Sequence, residues 1–154
     1  MSFVRTVRMR VPAGTAKPGP AIGQALGPLG INMMEFCKKF NEETKHIVQN
    51  TPMPCMLTAY TDRSFTFELS TPQTTWLLKR CAGIDKGGSR AGHEQSGRVG
   101  LKAIYEIAKI KNAETHSVLL PLESVCKSVR ATALSMGLEV VDDREGLKKK
   151  TVAL

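Results

Sequence analysis

The chain has 154 residues and a formal charge of +8, from 22 Lys and Arg against 14 Asp and Glu. That length allows one domain or two small ones with thin cores, and the charge points to a polyanionic partner. Apolar residues at 42% argue against global disorder, and aromatics at only 5% against a single-strand binder built on stacking platforms. Residues 3–11 alternate as Val4, Arg5, Thr6, Val7, Arg8, Met9, Arg10, the pattern of a β-strand rather than a targeting peptide. A short helix is predicted over 20–28, with Pro18 and Pro20 stiffening its entry where a helix tolerates proline. Gly19, Gly23 and Gly27 recur every four residues, so the helix would carry a bare stripe open to close backbone packing. Asn32 is placed to cap a second helix whose Met33, Phe36, Cys37 and Phe40 form an apolar face. Thr51-Pro-Met-Pro reads as a chain break, after which Cys55–Thr61 and Ser64–Ser70 read as strands turned by Thr61-Asp62-Arg63.

This first half reads as a small α/β unit over residues 1–70, a three-stranded sheet with two helices. Ser70-Thr-Pro-Gln-Thr is the linker candidate, and the pattern turns helical from Thr74. Helices are predicted over 74–82, 101–111 and 121–136, with short β-prone runs at 97–101 and 138–141. The intervening loop, Gly83 to Gly97, is polar and glycine-rich, and is expected to stay mobile until a partner orders it. The tail from Asp142 carries no structural signal. The fold class is therefore α+β, in two small domains.

Between Lys79 and Lys111 eight basic residues face three acids, the densest positive stretch in the chain, and it includes the loop. Such cations suit a phosphate backbone, although a solvated basic surface gives the same pattern. The last helix discriminates further. Leu122, Val125, Cys126, Val129, Ala133 and Met136 form its core stripe, and Ser124, Ser128, Ala131, Thr132 and Ser135 form a second stripe of small residues. Small polar residues also suit a plain solvent surface, but long charged side chains are the usual cover of a solvated helix, so this stripe favours contact with a shallow RNA minor groove, through 2′-hydroxyls and phosphates.

Cys37, Cys55, Cys81 and Cys126 form no CxxC pair, and His46, His93 and His116 are scattered, so no metal or cofactor is expected. The thiols read as buried groups in a reducing compartment. No apolar run has the length to span a membrane, and the Gly-x-x-x-Gly repeat lies among polar and proline residues. Gly83–Gly88 lacks the Gly-Lys-Ser/Thr of a phosphate loop, and no paired carboxylates or Cys–His arrangement supports an enzyme.

The stretch from Lys17 to Asn41 resembles the signature of the large-subunit ribosomal protein eleven family. Leu77–Ile84, Glu106–Lys111 and Thr132–Gly137 resemble that family's C-terminal blocks, so the likeness spans roughly residues 3–141. The resemblance implies a non-enzymatic stalk-base protein, with domains at 1–70 and 76–141, a linker at 71–75 and a tail at 142–154. The C-terminal domain would grip large-subunit rRNA through Lys86, Ser89, Arg90, Arg98, Lys109, Lys111, Ser128, Ala131, Thr132 and Ser135. The N-terminal domain would face translational GTPases and stalk proteins through Pro18, Pro20, Ile22 and Gly23, hinged at the linker.

The resemblance also implies that the proline-rich helix meets thiopeptide antibiotics at the rRNA, but Ala21 and Gln24 stand where the family has prolines, and the lost ring contacts argue against thiopeptide sensitivity here. Ala131 stands where the family usually has glycine and Leu134 where it has arginine; Arg130, one turn earlier, is expected to supply that guanidinium. Lys86–His93, Tyr105–Lys111 and Pro121–Lys127 resemble organellar, specifically mitochondrial, members more than bacterial ones, with the cytoplasm of a bacterium or another organelle as the alternative compartment. No membrane partner and no homo-oligomer are expected. The competing reading is a free-standing RNA-binding regulator, which needs the basic half but not the Pro/Gly helix.

Overall fold

Alternating side chains along the first residues form β1 (Phe3–Pro12), which pairs antiparallel with β2 (Pro52–Tyr60); β2 in turn pairs antiparallel with β3 (Phe65–Leu69), in the order β1-β2-β3. These come from a computed structural model that describes residues 3–114 and 119–142. Its two units are Met1–Gln73 and Thr74–Leu154. His116 and the tail beyond Asp142 lie outside the described residues.

β2 begins three residues earlier than the sequence implies, because Pro52 and Pro54 are strand residues rather than a break. The register explains how the central strand accommodates them. β3 pairs only from Cys55 onward, so at Pro52 and Pro54 the strand has β1 as its sole neighbour. The carbonyl of Pro54 accepts from Ser70 N at 3.0 Å, and its absent N–H points to that same side, past the end of β3. At the other end Arg63 takes φ +61° to close the hairpin. There Ser64 Oγ donates to Asp62 Oδ1 at 2.8 Å and holds that carboxyl below its usual range.

Two helices cover one face of the sheet. α1 (Pro20–Leu26) ends two residues before the expected 28, since Pro28 has no N–H to extend the ladder, and a 3₁₀ turn follows over Gly27–Leu29. Gly30 closes that turn at φ +66°. α2 (Met33–Glu43) is capped by Asn32, whose Oδ1 accepts from Met34 N at 3.0 Å. Its Phe36, Cys37 and Phe40 are buried against Leu57 and Cys55 of β2, and Phe36 meets Phe67 of β3 edge-on at 5.7 Å. Burial pushes the Cys55 thiol up to about 12, with the nearby Glu43 carboxylate adding to the effect.

In the second unit α3 (Thr74–Ala82), α4 (Leu101–Asn112) and α5 (Leu122–Ser135) enclose a core of Leu78, Ile104, Ile107, Val125, Val129 and Ala133. Thr74 and Thr75, expected in the linker, form the first turn of α3. β4 (Gly97–Gly100) pairs with β5 (Leu138–Val141), and the pairing is parallel because the intervening chain returns through α4 and α5. The architecture is α+β: a three-stranded antiparallel sheet with two helices, then three helices with a two-stranded parallel sheet.

Candidate nucleic-acid interface

α5 presents two faces of opposite character. Val125, Val129 and Ala133 are buried, with Leu122, Cys126 and Met136 packed around them, as the core stripe requires. On the far face Ser124, Ser128, Ala131 and Ser135 are exposed and Thr132 is half-exposed. Two of the hydroxyls are already engaged: Thr132 Oγ1 donates to Ser128 O at 3.0 Å and Ser135 Oγ donates to Thr132 O at 2.8 Å. This back-bonding fixes the rotamers and leaves the oxygens' lone pairs outward, so both act as acceptors, matched to 2′-hydroxyl donors rather than to phosphates.

The loop beside α5 is pinned at both ends. Gly88 N donates to Met136 O at 2.9 Å, and Ser96 N donates to Gly137 O at 2.8 Å, so the C-terminus of α5 supplies both acceptors. Gly137 sits at φ +74°, and a Cβ there would lie 2.8 Å from Glu94 O; a Cβ on Gly88 would lie 2.6 Å from Ser96 Oγ. Glycine is thus demanded at both points by close approach. Between the anchors residues 89–95 are exposed, Ser89 and Arg90 among them. The loop expected to await a partner for its order is thus seated on the end of α5 at Gly88 and Ser96. Sequence reasoning gives little sign of this seam beyond the glycine following α5 and the Gly87-Gly88 pair.

The expected basic contacts fall into two groups. Arg98 on β4 is paired with Glu139 on β5, Nε to Oε2, at 2.8 Å. Lys109 is held by Glu106 at 3.1 Å and lies 4.6 Å over the Tyr105 ring; the Glu106 hydrogen bond chiefly raises its pKa. Lys111 pairs with Glu114 at 2.9 Å and is only 16% exposed, in a recess that also takes in Ser124 and Ser128. In contrast Lys86 and Arg90 are exposed on the loop, and no described carboxylate forms an ion pair with either. Arg130 is exposed and shares a cavity of about 420 Å³ with Leu134, His93 and Glu94, so the two residues of the proposed exchange occupy one face.

In the first unit Pro18 and Pro20 are exposed and Gly23 is half-buried. Ile22 is 9% exposed and, with Leu26, faces the sheet, so it is corrected from a partner-facing residue to a core residue that seats α1. Along the glycine stripe a Cβ on Gly19 would meet only the backbone oxygen of Lys17, two residues before it, at 3.8 Å; one on Gly23 would touch Met33 Sδ at 3.5 Å, and one on Gly27 would meet nothing within 4 Å. The chain entering α1 is tied to α2. Asn41 accepts from Ala16 N at 2.9 Å and donates to Ala16 O at 3.0 Å, while Thr44 Oγ1 accepts from Gly14 N at 3.0 Å and donates to Phe40 O at 2.7 Å.

Among the described residues no helix is long and apolar enough to cross a membrane, and no group of His, Cys, Asp and Glu is arranged to hold a metal. Two family models match the chain: Ribosomal protein L11, N-terminal domain, over residues 7–65, and Ribosomal protein L11, RNA binding domain, over residues 70–140. The chain is 45% identical over 143 residues to Large ribosomal subunit protein uL11m of Schizosaccharomyces pombe, covering 92% of this chain and 99% of that protein. It is 46% identical over 136 residues to Large ribosomal subunit protein uL11 of a Bradyrhizobium species, covering 87% and 93%. The same protein of Afipia carboxidovorans is 45% identical over the same length. The exposed small-residue face and the seated basic loop lie within the segment matched by the RNA-binding model, and with both halves matched the chain belongs to the ribosomal protein L11 family, as a large-subunit ribosomal protein and not an enzyme.

Proposed function

We propose that this protein binds the stalk-base segment of large-subunit rRNA through residues 76–141 and offers its first unit to stalk proteins and translational GTPases. The observation that carries the reading is the α5 face of Ser124, Ser128, Ala131, Thr132 and Ser135, outward and unobstructed by long side chains. A face of that kind approaches a minor groove closely, and shape rather than base identity selects its partner. Lys86, Ser89 and Arg90 then follow the phosphate backbone from the loop, with Arg98, Lys109, Lys111 and Arg130 around it. Pro18, Pro20 and Gly23 form the factor-facing edge at the entry and first turn of α1, and residues 71–73, ahead of α3, act as the hinge between the domains. Likeness to the mitochondrial-type relative from Schizosaccharomyces pombe supports residence in a mitochondrial ribosome.

The test is binding of the full chain to the stalk-base rRNA fragment beside an unrelated folded RNA of equal length. The expected result is a clear preference for the cognate fragment that Ser128→Leu abolishes without loss of folding. Equal affinity for both RNAs, falling steeply with salt, would reduce the interaction to phosphate attraction and overturn the reading. Import of the tagged chain into isolated mitochondria tests the compartment.

A further inference from the structure

Trp76 is the only tryptophan in the chain, and the core makes little use of it. Its neighbours Leu77 and Leu78 pack into the second unit, but the indole stands outside that cluster, half-exposed on α3. Lys79 and Arg80 follow at i+3 and i+4, which places both cations one turn from the ring on its own side of the helix. With Gly83, Ile84 and Asp85 these residues line a groove of about 380 Å³, within the range of small-ligand sites. Gly83 turns the chain at φ +66° with nothing within 4 Å of where a Cβ would lie, so the wall there is bare backbone. Among the described residues neither Lys79 nor Arg80 is held in an ion pair.

We propose that this groove holds one unpaired nucleotide of an RNA strand, its base stacked on Trp76 and its phosphate between Lys79 and Arg80. The chemistry fits in three respects. An indole accepts any base face, since every base has a π-surface. Two cations against the single carboxylate of Asp85 leave one net positive charge, the complement of one phosphodiester. The groove is rimmed by the exposed Arg80, Gly83 and Asp85, so a strand can enter and leave it, which an enclosed nucleotide pocket would prevent. The site lies on α3 and is distinct from the small-residue face of α5. It rests on the RNA-binding character of the second unit and not on the stalk-base assignment.

Because Trp76 is alone, its emission reports this groove and nothing else. The full chain is titrated with fluorescein-labelled hexauridylate, reading RNA anisotropy and, with unlabelled RNA, tryptophan emission; uridine monophosphate and hexaglutamate are parallel arms. Expected are strong quenching by hexauridylate, weak quenching by the mononucleotide and none by the peptide. Trp76→Leu should weaken hexauridylate binding about tenfold with the circular dichroism unchanged, and Lys79→Gln with Arg80→Gln should weaken it while flattening its salt dependence. Trp76→Leu should also keep its preference for the stalk-base fragment over unrelated RNA, so this proposal and the stalk-base reading fail separately. No hexauridylate binding, binding with unchanged emission, or unaltered affinity of Trp76→Leu would each overturn the site. Equal quenching by the mononucleotide would assign the groove to a free nucleotide, and quenching by hexaglutamate to an acidic protein segment; either outcome refutes the RNA strand.

Discussion

The seam between the basic loop and α5 offers a test in which two glycines respond differently to one rescue. In Gly137→Ala the new methyl faces Glu94 O at 2.8 Å, a backbone atom, and the residue must hold φ +74°. The left-handed conformation alone costs about 1–2 kcal/mol for an L-residue. Moving the loop adds to it by weakening the bonds from Gly88 N and Ser96 N to Met136 O and Gly137 O. A total near 2 kcal/mol lowers the melting temperature of so small a unit by roughly 10 °C. In Gly88→Ala the methyl meets Ser96 Oγ at 2.6 Å, the far end of a short side chain, and Gly88 has no positive φ to defend. Overpacking of that sort costs about 1 kcal/mol, and Ser96→Ala should restore it by removing the oxygen. The assay is thermal unfolding of the single and double variants, with amide exchange at Gly88 and Ser96 as the local readout. Ser96→Ala should rescue Gly88→Ala and leave Gly137→Ala unstable. If it rescues both or neither, or if exchange at the two amides stays slow in Gly137→Ala, the loop is not seated as described.

Three further outcomes follow from named contacts. Thr44→Val removes the acceptor of Gly14 N and the donor to Phe40 O at a fully buried position, so it should cost about 1–3 kcal/mol in chemical denaturation. Cys55, raised from 9.0 to about 12, contributes stability that is fully present below pH 9 and lost as pH rises towards 12; Cys55→Ala should show a smaller alkaline loss in a denaturation series. Glu139→Gln frees Arg98 from an exposed ion pair; stability should change by less than about 1 kcal/mol while RNA affinity rises, measured by filter binding.

The helices and most strand limits were legible because apolar spacing survives any detail of packing. Phe36, Cys37 and Phe40 mark α2, and Val125, Val129 and Ala133 mark α5, at 3.6-residue periods that tertiary structure only confirms. Pro52 and Pro54 misled because a proline's effect in a strand depends on whether a neighbour needs its N–H, and that is a property of register, not of sequence. Ile22 misled for a related reason: it lies within a motif whose Pro18 and Pro20 are exposed, while its own position, four before Leu26, turns it into the core. The loop anchors and the Arg98–Glu139 pair join residues far apart in the chain and become visible only once β4 lies beside β5.

Those ion pairs change what basicity can contribute to binding. Of the six cations assigned to the helix-face interface, Arg98, Lys109 and Lys111 each hold a carboxylate within 3.1 Å, whereas Lys86, Arg90 and Arg130 have no described carboxylate in an ion pair. A phosphate that takes a paired lysine must release its glutamate, so the gain is the difference between two similar interactions and the net charge brought to the RNA is smaller. A phosphate that takes Arg90 displaces only small ions. Each phosphate neutralised contributes about 0.9 to the slope of log affinity against log salt. Arg90→Gln should therefore flatten that slope for the stalk-base fragment by close to one unit. Lys109→Gln should flatten it by much less, since Glu106 is left as an uncompensated charge whether or not RNA is bound. Equal changes in the two variants would mean that the ion pairs dissolve on binding and that the cations act as one undivided field. Unequal changes would leave the small hydroxyl-bearing face of α5 as the main source of discrimination, with charge serving to bring the RNA near.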